Sequence, residues 1–359
     1  MTLPGNWATG QSFTAAAENA VETAVNLNTG KLINPMNYGA VGNGTTDDTA
    51  AINAAITACG NKGTVIFPAG HTFLYIGTIT IPNGVALVGG GHGFQEEHLR
   101  AGAAAALINV TGSYSQLRDL SINGNNVGQI GIHVTFSDRN SFHSVLVHQF
   151  TQAGFIFDEA QNCTVEDCSA YNCATAATPS GWPGVAGWMF INGASTMTML
   201  NCTSAQGAGG TNANYSAIII TNITTDARLE AGPQAGNENG LLRFFSGIHE
   251  TYSSTTGVAR VLATYGNSWG YSVIFHDVIF VGPSSTATIT VGPSFPGPLV
   301  FADCQFHSLG EAGSSPFVNA SSGRIVFTGT CYRLQGPLSA ETVLTGSATS
   351  TVATVAGFT

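Results

Sequence analysis

Apolar residues along most of this chain recur in short alternating runs, and a four-residue unit marks where each run begins. The unit is an apolar residue, any residue, a turn former, then usually a second apolar residue. It reads Leu117-Arg118-Asp119-Leu120, Phe142-His143-Ser144-Val145, Val165-Glu166-Asp167-Cys168, Met199-Leu200-Asn201-Cys202 and Ile220-Thr221-Asn222-Ile223. It continues as Phe245-Ser246-Gly247-Ile248, Phe275-His276-Asp277-Val278, Phe301-Ala302-Asp303-Cys304 and Phe327-Thr328-Gly329-Thr330. The third position is always Asp, Asn, Gly or Ser, residues that close a turn on themselves or accept left-handed backbone. A second series, Gly131-Ile132-His133-Val134, Gly154-Phe155-Ile156-Phe157 and Gly187-Trp188-Met189-Phe190, keeps the same phase. Repetition at about 25 residues, with strands and no helical period, predicts an all-β fold: a parallel β-helix. About nine or more coils are expected, roughly 40 Å long at about 4.8 Å per coil.

The N-terminal region follows a different pattern. Ala15 to Asn26 is helix-prone, with Thr14 as N-cap and Ala17, Val21, Ala24 and Val25 on one face. That face is too small to hold a short helix alone in water. Residues 1–36 are therefore expected to be an attachment segment that packs on other chains. Asp47-Asp48-Thr49 starts a second helix running to about Cys59. Residues 37–336 form the expected β-helix domain, and 337–359 a C-terminal tail or cap. Long intervals between units place surface insertions at Ala174–Ala186 and Ser253–Tyr271, positions where binding faces often lie.

Charge narrows the function classes. Of 359 residues only 8% are charged, against about 25% in an average soluble domain. Outward positions that would ordinarily carry Lys or Glu hold Ser, Thr, Asn, Ala or even Leu200, consistent with broad burial between chains. A net charge of −10 argues against nucleic acid as a partner and against anionic lipid. No apolar run approaches the roughly 20 residues that span a bilayer, so membrane insertion is not expected. Met1 to Trp7 has neither a basic nor an apolar leader region, so no signal peptide is expected and export would need another route, such as lysis. Seven cysteines are an odd number, and Cys163, Cys168 and Cys173 lack the spacing of a zinc knuckle. They read as buried thiols, with Cys168, Cys202 and Cys304 stacked in the core. No cofactor and no metal are expected.

Asn37-Tyr38-Gly39-Ala40-Val41-Gly42-Asn43-Gly44-Thr45-Thr46-Asp47-Asp48-Thr49-Ala50-Ala51-Ile52 resembles the opening of pectate-lyase-like right-handed β-helix proteins. Val65-Ile66-Phe67-Pro68-Ala69-Gly70 and the stretch Ile81 to Gly91 match that family's next two signatures, in order. The resemblance implies right-handed coils and a helix covering the N-terminal mouth, where it protects open strand edges. Gly5-Asn6-Trp7, followed by Gln11 through Asn26, looks like the start of bacteriophage tail fibre and minor tail proteins. Together the two resemblances imply a tail spike or minor tail protein of the virion. Such a protein would be a homotrimer, bound to other tail proteins through residues 1–36 and to a host cell-surface glycan. A tail-associated glycan depolymerase and a cellular polysaccharide-degrading enzyme are the alternatives, and the tail-like start counts against the latter.

Candidate chemistry is sparse. Arg118, His143 and Glu166 would stack on adjacent coils, where a His beside a carboxylate serves as general base and Arg binds an anionic sugar. The plainer reading is a solvated ladder. Asp158 and Glu159 make a second acidic pair at a coil corner, under the same plain reading. Asp277 and Asp303 share a column, but at the turn position that Asn and Gly fill elsewhere. A lyase's Ca²⁺-binding Asp clusters and basic residue cannot be assembled here. Trp182, Trp269 and Tyr271, in the two insertions, are placed to stack on sugars. Packing against a neighbouring chain competes as the role of Trp182, and Trp188 reads as structural.

Overall fold

Three parallel sheets wind around one apolar core. The structure is a computed structural model that describes residues 31–91, 93, 96–179, 184–206, 215–221, 241–250, 260–265, 272–283, 289–291, 298–309, 318–320, 324–329, 331–334, 344–346 and 351–355. On the first face every strand pairs in parallel with the strand one coil later. It runs from Leu32–Ile33 through Thr64–Ile66, Ala86–Val88, Gln116–Asn123, Ser141–His148 and Thr164–Glu166 to Thr351–Val355. Gln116–Asn123 and Ser141–His148 are long enough to run on into a third face, which extends from Asn43–Asp47 to Tyr332–Leu334. The second face is a separate ten-stranded sheet from Thr78–Ile81 to Leu344–Gly346. Ten strands agree with the expected nine or more coils.

The turn column is where the repeat placed it. Asp119, Ser144, Asp167, Asn201, Asp277 and Asp303 all have left-handed backbone, with φ between 51° and 57°. At these positions the chain bends from the first face to the third, and a short polar side chain lowers the cost of that backbone. Two units need correction. Ile220-Thr221 belongs to the second sheet, in strand Tyr215–Thr221 beside Val185–Ile191, not to the turn column. In the sixth unit Phe244, not Phe245, aligns with Met199 and Phe275, and Ser246 is the residue matching Asn201. Ser246 and Gly247 both have positive φ, so the apparent motif slipped by one residue. The Ser253–Tyr271 interval is not one insertion either. Its Arg260–Tyr265 stretch is the second-sheet strand that every coil needs. Val185–Ile191 likewise takes the end of the Ala174–Ala186 interval into the sheet.

Inside, like residues stack on like. Phe155 lies on Trp188 at 4.1 Å between ring centres, and Phe157 on Phe190 at 5.3 Å. Farther along, Phe244, Phe275, Phe301 and Phe327 form one continuous column. The Gly131, Gly154 and Gly187 column is explained by closeness: a Cβ on Gly154 would sit 2.7 Å from the Gly187 carbonyl and 3.0 Å from Ala170. All seven cysteines are free and buried, and burial pushes the thiols of Cys163, Cys173, Cys202 and Cys304 up to about 12. They are inert core residues.

Helix Thr49–Cys59 closes the N-terminal end, burying Ile52, Ala55, Ile56 and Cys59 against the first strands. Asp48, itself buried, anchors the preceding loop by accepting from the Val41 and Gly42 amides at 2.7 and 3.1 Å. The helix expected at Ala15 to Asn26 lies outside the described residues. Strands at Leu32–Ile33, Leu344–Gly346 and Thr351–Val355 carry the sheets past the boundaries drawn at residues 36 and 336. Among the described residues, no helix is long and apolar enough to cross a membrane.

Candidate functional site

The strand register places Arg118, His143 and Glu166 side by side on the outer surface of the first sheet. Arg118 is exposed, while His143 and Glu166 are half-buried. Left-handed backbone at Asp167 turns its carboxylate back over the preceding coil. Its Oδ2 lies 3.8 Å from His143 Nε2, and its Oδ1 accepts from Asn201 Nδ2 at 2.7 Å. One donor atom each from His143, Glu166 and Asp167 lies within 4.8 Å of the others. Asp277 and Asp303 are turn residues of the same column, and His276 Nε2 lies 3.6 Å from Asp303 Oδ2.

Asp158 and Glu159 stand at the far end of a second-sheet strand, and neither is open to solvent. Asp158 meets His133 Nε2 at 3.2 Å and accepts from Asn192 Nδ2 at 2.8 Å. Glu159 is 5% exposed, and among the described residues its Oε1 has no hydrogen-bond partner. The outer face of this sheet is apolar and buried nearby, through Ile156, Met189, Ile191 and Ile219. Burial, then the charge of Asp158, raises the Glu159 carboxyl from 4.5 to about 7. An acid held protonated by the fold stabilises at low pH, and stability falls as pH rises through that window. Glu159→Gln, which keeps the shape of the protonated form, should therefore stabilise the protein at pH 8 by on the order of 2–3 kcal/mol and leave it unchanged at pH 4. Denaturant titration at the two pH values measures this.

Sequence reasoning missed a third group, at the corner where the second sheet turns into the first. Tyr114 and Phe136 are 58% and 53% exposed, with φ of 60° and 47°. Other coils place Asn162 and Asn192, also with positive φ, at the corresponding corner positions. Arg139 Cζ lies 5.6 Å from the Tyr114 ring centre, and its Nη1 donates to the Tyr114 hydroxyl at 2.6 Å. Asp138 pairs with Arg139 at 2.9 Å and accepts from Asn162 Nδ2 at 2.6 Å. The available signal was an aromatic residue at repeat positions that other coils fill with polar residues, Arg139, Asn162 and Thr196 in one column and Glu159 and Asn192 in the other. Trp182, Trp269 and Tyr271 lie outside the described residues. Trp188 is fully buried, its Nε1 donating to the Thr203 carbonyl at 3.2 Å, so its role is structural.

Residues 32–109 match the family described as rhamnogalacturonase A/epimerase, pectate lyase-like, in agreement with the resemblance of the chain's opening. No curated protein sequence matches the chain. Among solved structures it is similar to the ORF18 protein of Geobacillus virus E2, with TM-score 0.66 and 15% identity, covering 98% of this chain and 64% of that one. It is similar to a mutant tailspike protein of E. coli bacteriophage HK620 in complex with a pentasaccharide: TM-score 0.61, 12% identity, 97% and 69% covered. The A-module of the Azotobacter vinelandii mannuronan C-5 epimerase AlgE6 gives TM-score 0.52 at 14% identity, with 91% and 98% covered. The chain thus spans less than two thirds of the viral ORF18 protein. At these identities the likeness establishes the pectate-lyase-like parallel β-helix and nothing finer.

Proposed function

We propose that this chain is a bacteriophage virion tail protein, of the tail spike or minor tail protein type, that binds a host cell-surface glycan. In this reading it is a homotrimer held to other tail proteins through residues 1–36, of which Leu32–Ile33 already pairs into the first sheet. One observation carries the glycan half: Tyr114 and Phe136 hold exposed rings at corner positions that other coils fill with polar residues. Positive φ recurs at Arg139, Asn162 and Thr196 and at Glu159 and Asn192 in the matching positions, so the backbone belongs to the corner and the exposed ring is what sets these two residues apart. Rings offer the apolar face that a sugar stacks on, and the adjoining Arg139 and Asp138 supply a donor and an acceptor for its hydroxyls. The virion half is supported by the shared fold, since the HK620 protein of that fold is a tailspike in complex with a pentasaccharide. The tail-like start and the low surface charge agree with it.

The experiment is a binding screen of the full chain against purified bacterial lipopolysaccharides, capsular polysaccharides and teichoic acids. Tyr114→Ala and Phe136→Ala should each weaken binding to the selected glycan at least tenfold with unchanged melting. Undiminished binding by a folded double variant would sink the reading. A second reading, a glycan hydrolase, is favoured by the raised Glu159 carboxyl beside Asp158, the arrangement of an acid kept protonated near neutral pH. Both carboxyls are buried and closed to a ligand, although the Phe136 amide donates to the Asp158 carbonyl of the next coil, and that burial favours binding over cleavage. Release of reducing ends from the selected glycan, lost in Glu159→Gln, would reverse that preference.

A further inference from the structure

We propose that His143, Glu166 and Asp167 form a binding site for a divalent transition-metal ion on the outer face of the first sheet, although the sequence alone predicts no metal. The three residues offer one imidazole and two carboxylates from two adjacent coils, with donor atoms within 4.8 Å of one another. The 3.8 Å between His143 Nε2 and Asp167 Oδ2 is too long for a hydrogen bond. It suits two donors that each reach an ion at about 2.1 Å across a wide angle. Asn201 fixes the other oxygen of Asp167 and leaves Oδ2 on the His143 side. Imidazole with carboxylates selects ions of the Zn²⁺ type over Ca²⁺ and Mg²⁺, which take oxygen ligands. The half-buried position leaves the remaining coordination sites to water. Exposed Arg118, on the opposite side of His143 from Glu166, is the one basic residue in the adjoining register positions.

The ladder contains its own control. His276 occupies the same outward column three coils after Glu166, and its Nε2 lies 3.6 Å from Oδ2 of the left-handed Asp303. The His–Asp spacing therefore belongs to the solenoid geometry itself. What differs is the position beside the histidine, which is Glu166 in the first case and Ala302 in the second. Among the described residues, the His143 set is the one group of three. The buried cysteines stay protonated and do not compete for the ion.

The test is calorimetric titration of the full chain with Zn²⁺ and, separately, Ca²⁺, with folding followed by circular dichroism. Zn²⁺ should bind at this site at least tenfold more tightly than Ca²⁺. His143→Ala and Glu166→Gln should each weaken it at least tenfold while melting in chelator stays unchanged. Ala302→Glu should add a second Zn²⁺ site, completed by His276 and Asp303. Zn²⁺ affinity untouched by His143→Ala, Ca²⁺ binding as tight as Zn²⁺, or no added ion in a folded Ala302→Glu chain would each overturn the proposal.

Discussion

Phe275→Ala should destabilise the protein by about 3–5 kcal/mol and split its unfolding into two transitions. The ring is fully buried and lies between Phe244 at 4.5 Å and Phe301 at 5.5 Å, with Phe280 edge-on at 5.1 Å. Removing it leaves a void that the neighbouring coils cannot fill, because hydrogen-bonded ladders on both sides fix their spacing. Each aromatic pair also contributes about 0.5–1.5 kcal/mol beyond the area it buries. In a solenoid, coils contact only their neighbours, so the loss concentrates at one interface and uncouples the coils on either side of it. Guanidinium unfolding followed by fluorescence and circular dichroism should resolve an early transition that the wild type lacks. Phe275→Leu should recover much of the loss. A single transition displaced by less than about 1 kcal/mol would mean that the column does not couple the coils.

The residues that made the architecture legible were those whose chemistry the backbone constrains. Asp119, Ser144, Asp167 and Asn201 announce left-handed turns, and Phe155 and Trp188 announce inward stacking, because few alternatives fit those positions. The slip at Phe245 arose where two consecutive residues, Ser246 and Gly247, have positive φ, leaving the turn position ambiguous by one. Strand Arg260–Tyr265 escaped notice because no turn former at the repeat spacing flags it, and Ile220 imitated the motif from another sheet. Stacking of Arg118, His143 and Glu166 follows from counting along the repeat. Inclusion of Asp167 does not, since it depends on how left-handed backbone directs a carboxylate across to the previous coil. Tyr114 and Phe136 were harder still. Exposure at a corner is a tertiary property, and neither ring belongs to the repeat unit that marks the turns.

Acid should weaken the solenoid through His249, and His249→Phe should remove that weakness. The imidazole is fully buried in the third-face core column, in register with Ser204 on one side and Phe280 on the other. Its Nδ1 lies 2.8 Å from Ser204 Oγ, while its Nε2 has no partner among the described residues. Burial pushes its proton affinity down to about 3 from 6.5. The unfolded chain then takes up a proton that the folded chain refuses, so stability is lost as pH falls from about 6.5 toward about 3. By pH 4.5 the loss is on the order of 2–3 kcal/mol. Glu159 acts with the opposite sign between about 4.5 and 7, so the wild-type profile alone mixes the two. His249→Phe isolates the histidine: a ring at this position continues the Phe280 and Phe306 stack and cannot titrate. Pairing it with Ser204→Ala avoids stranding a buried hydroxyl, which would cost about 1–3 kcal/mol at every pH. Relative to this double variant, the wild type should lose stability steadily in denaturant titrations from pH 6.5 to 4.5. Parallel profiles would mean that His249 accepts its proton in the folded state, through a partner or water reaching Nε2 inside the core.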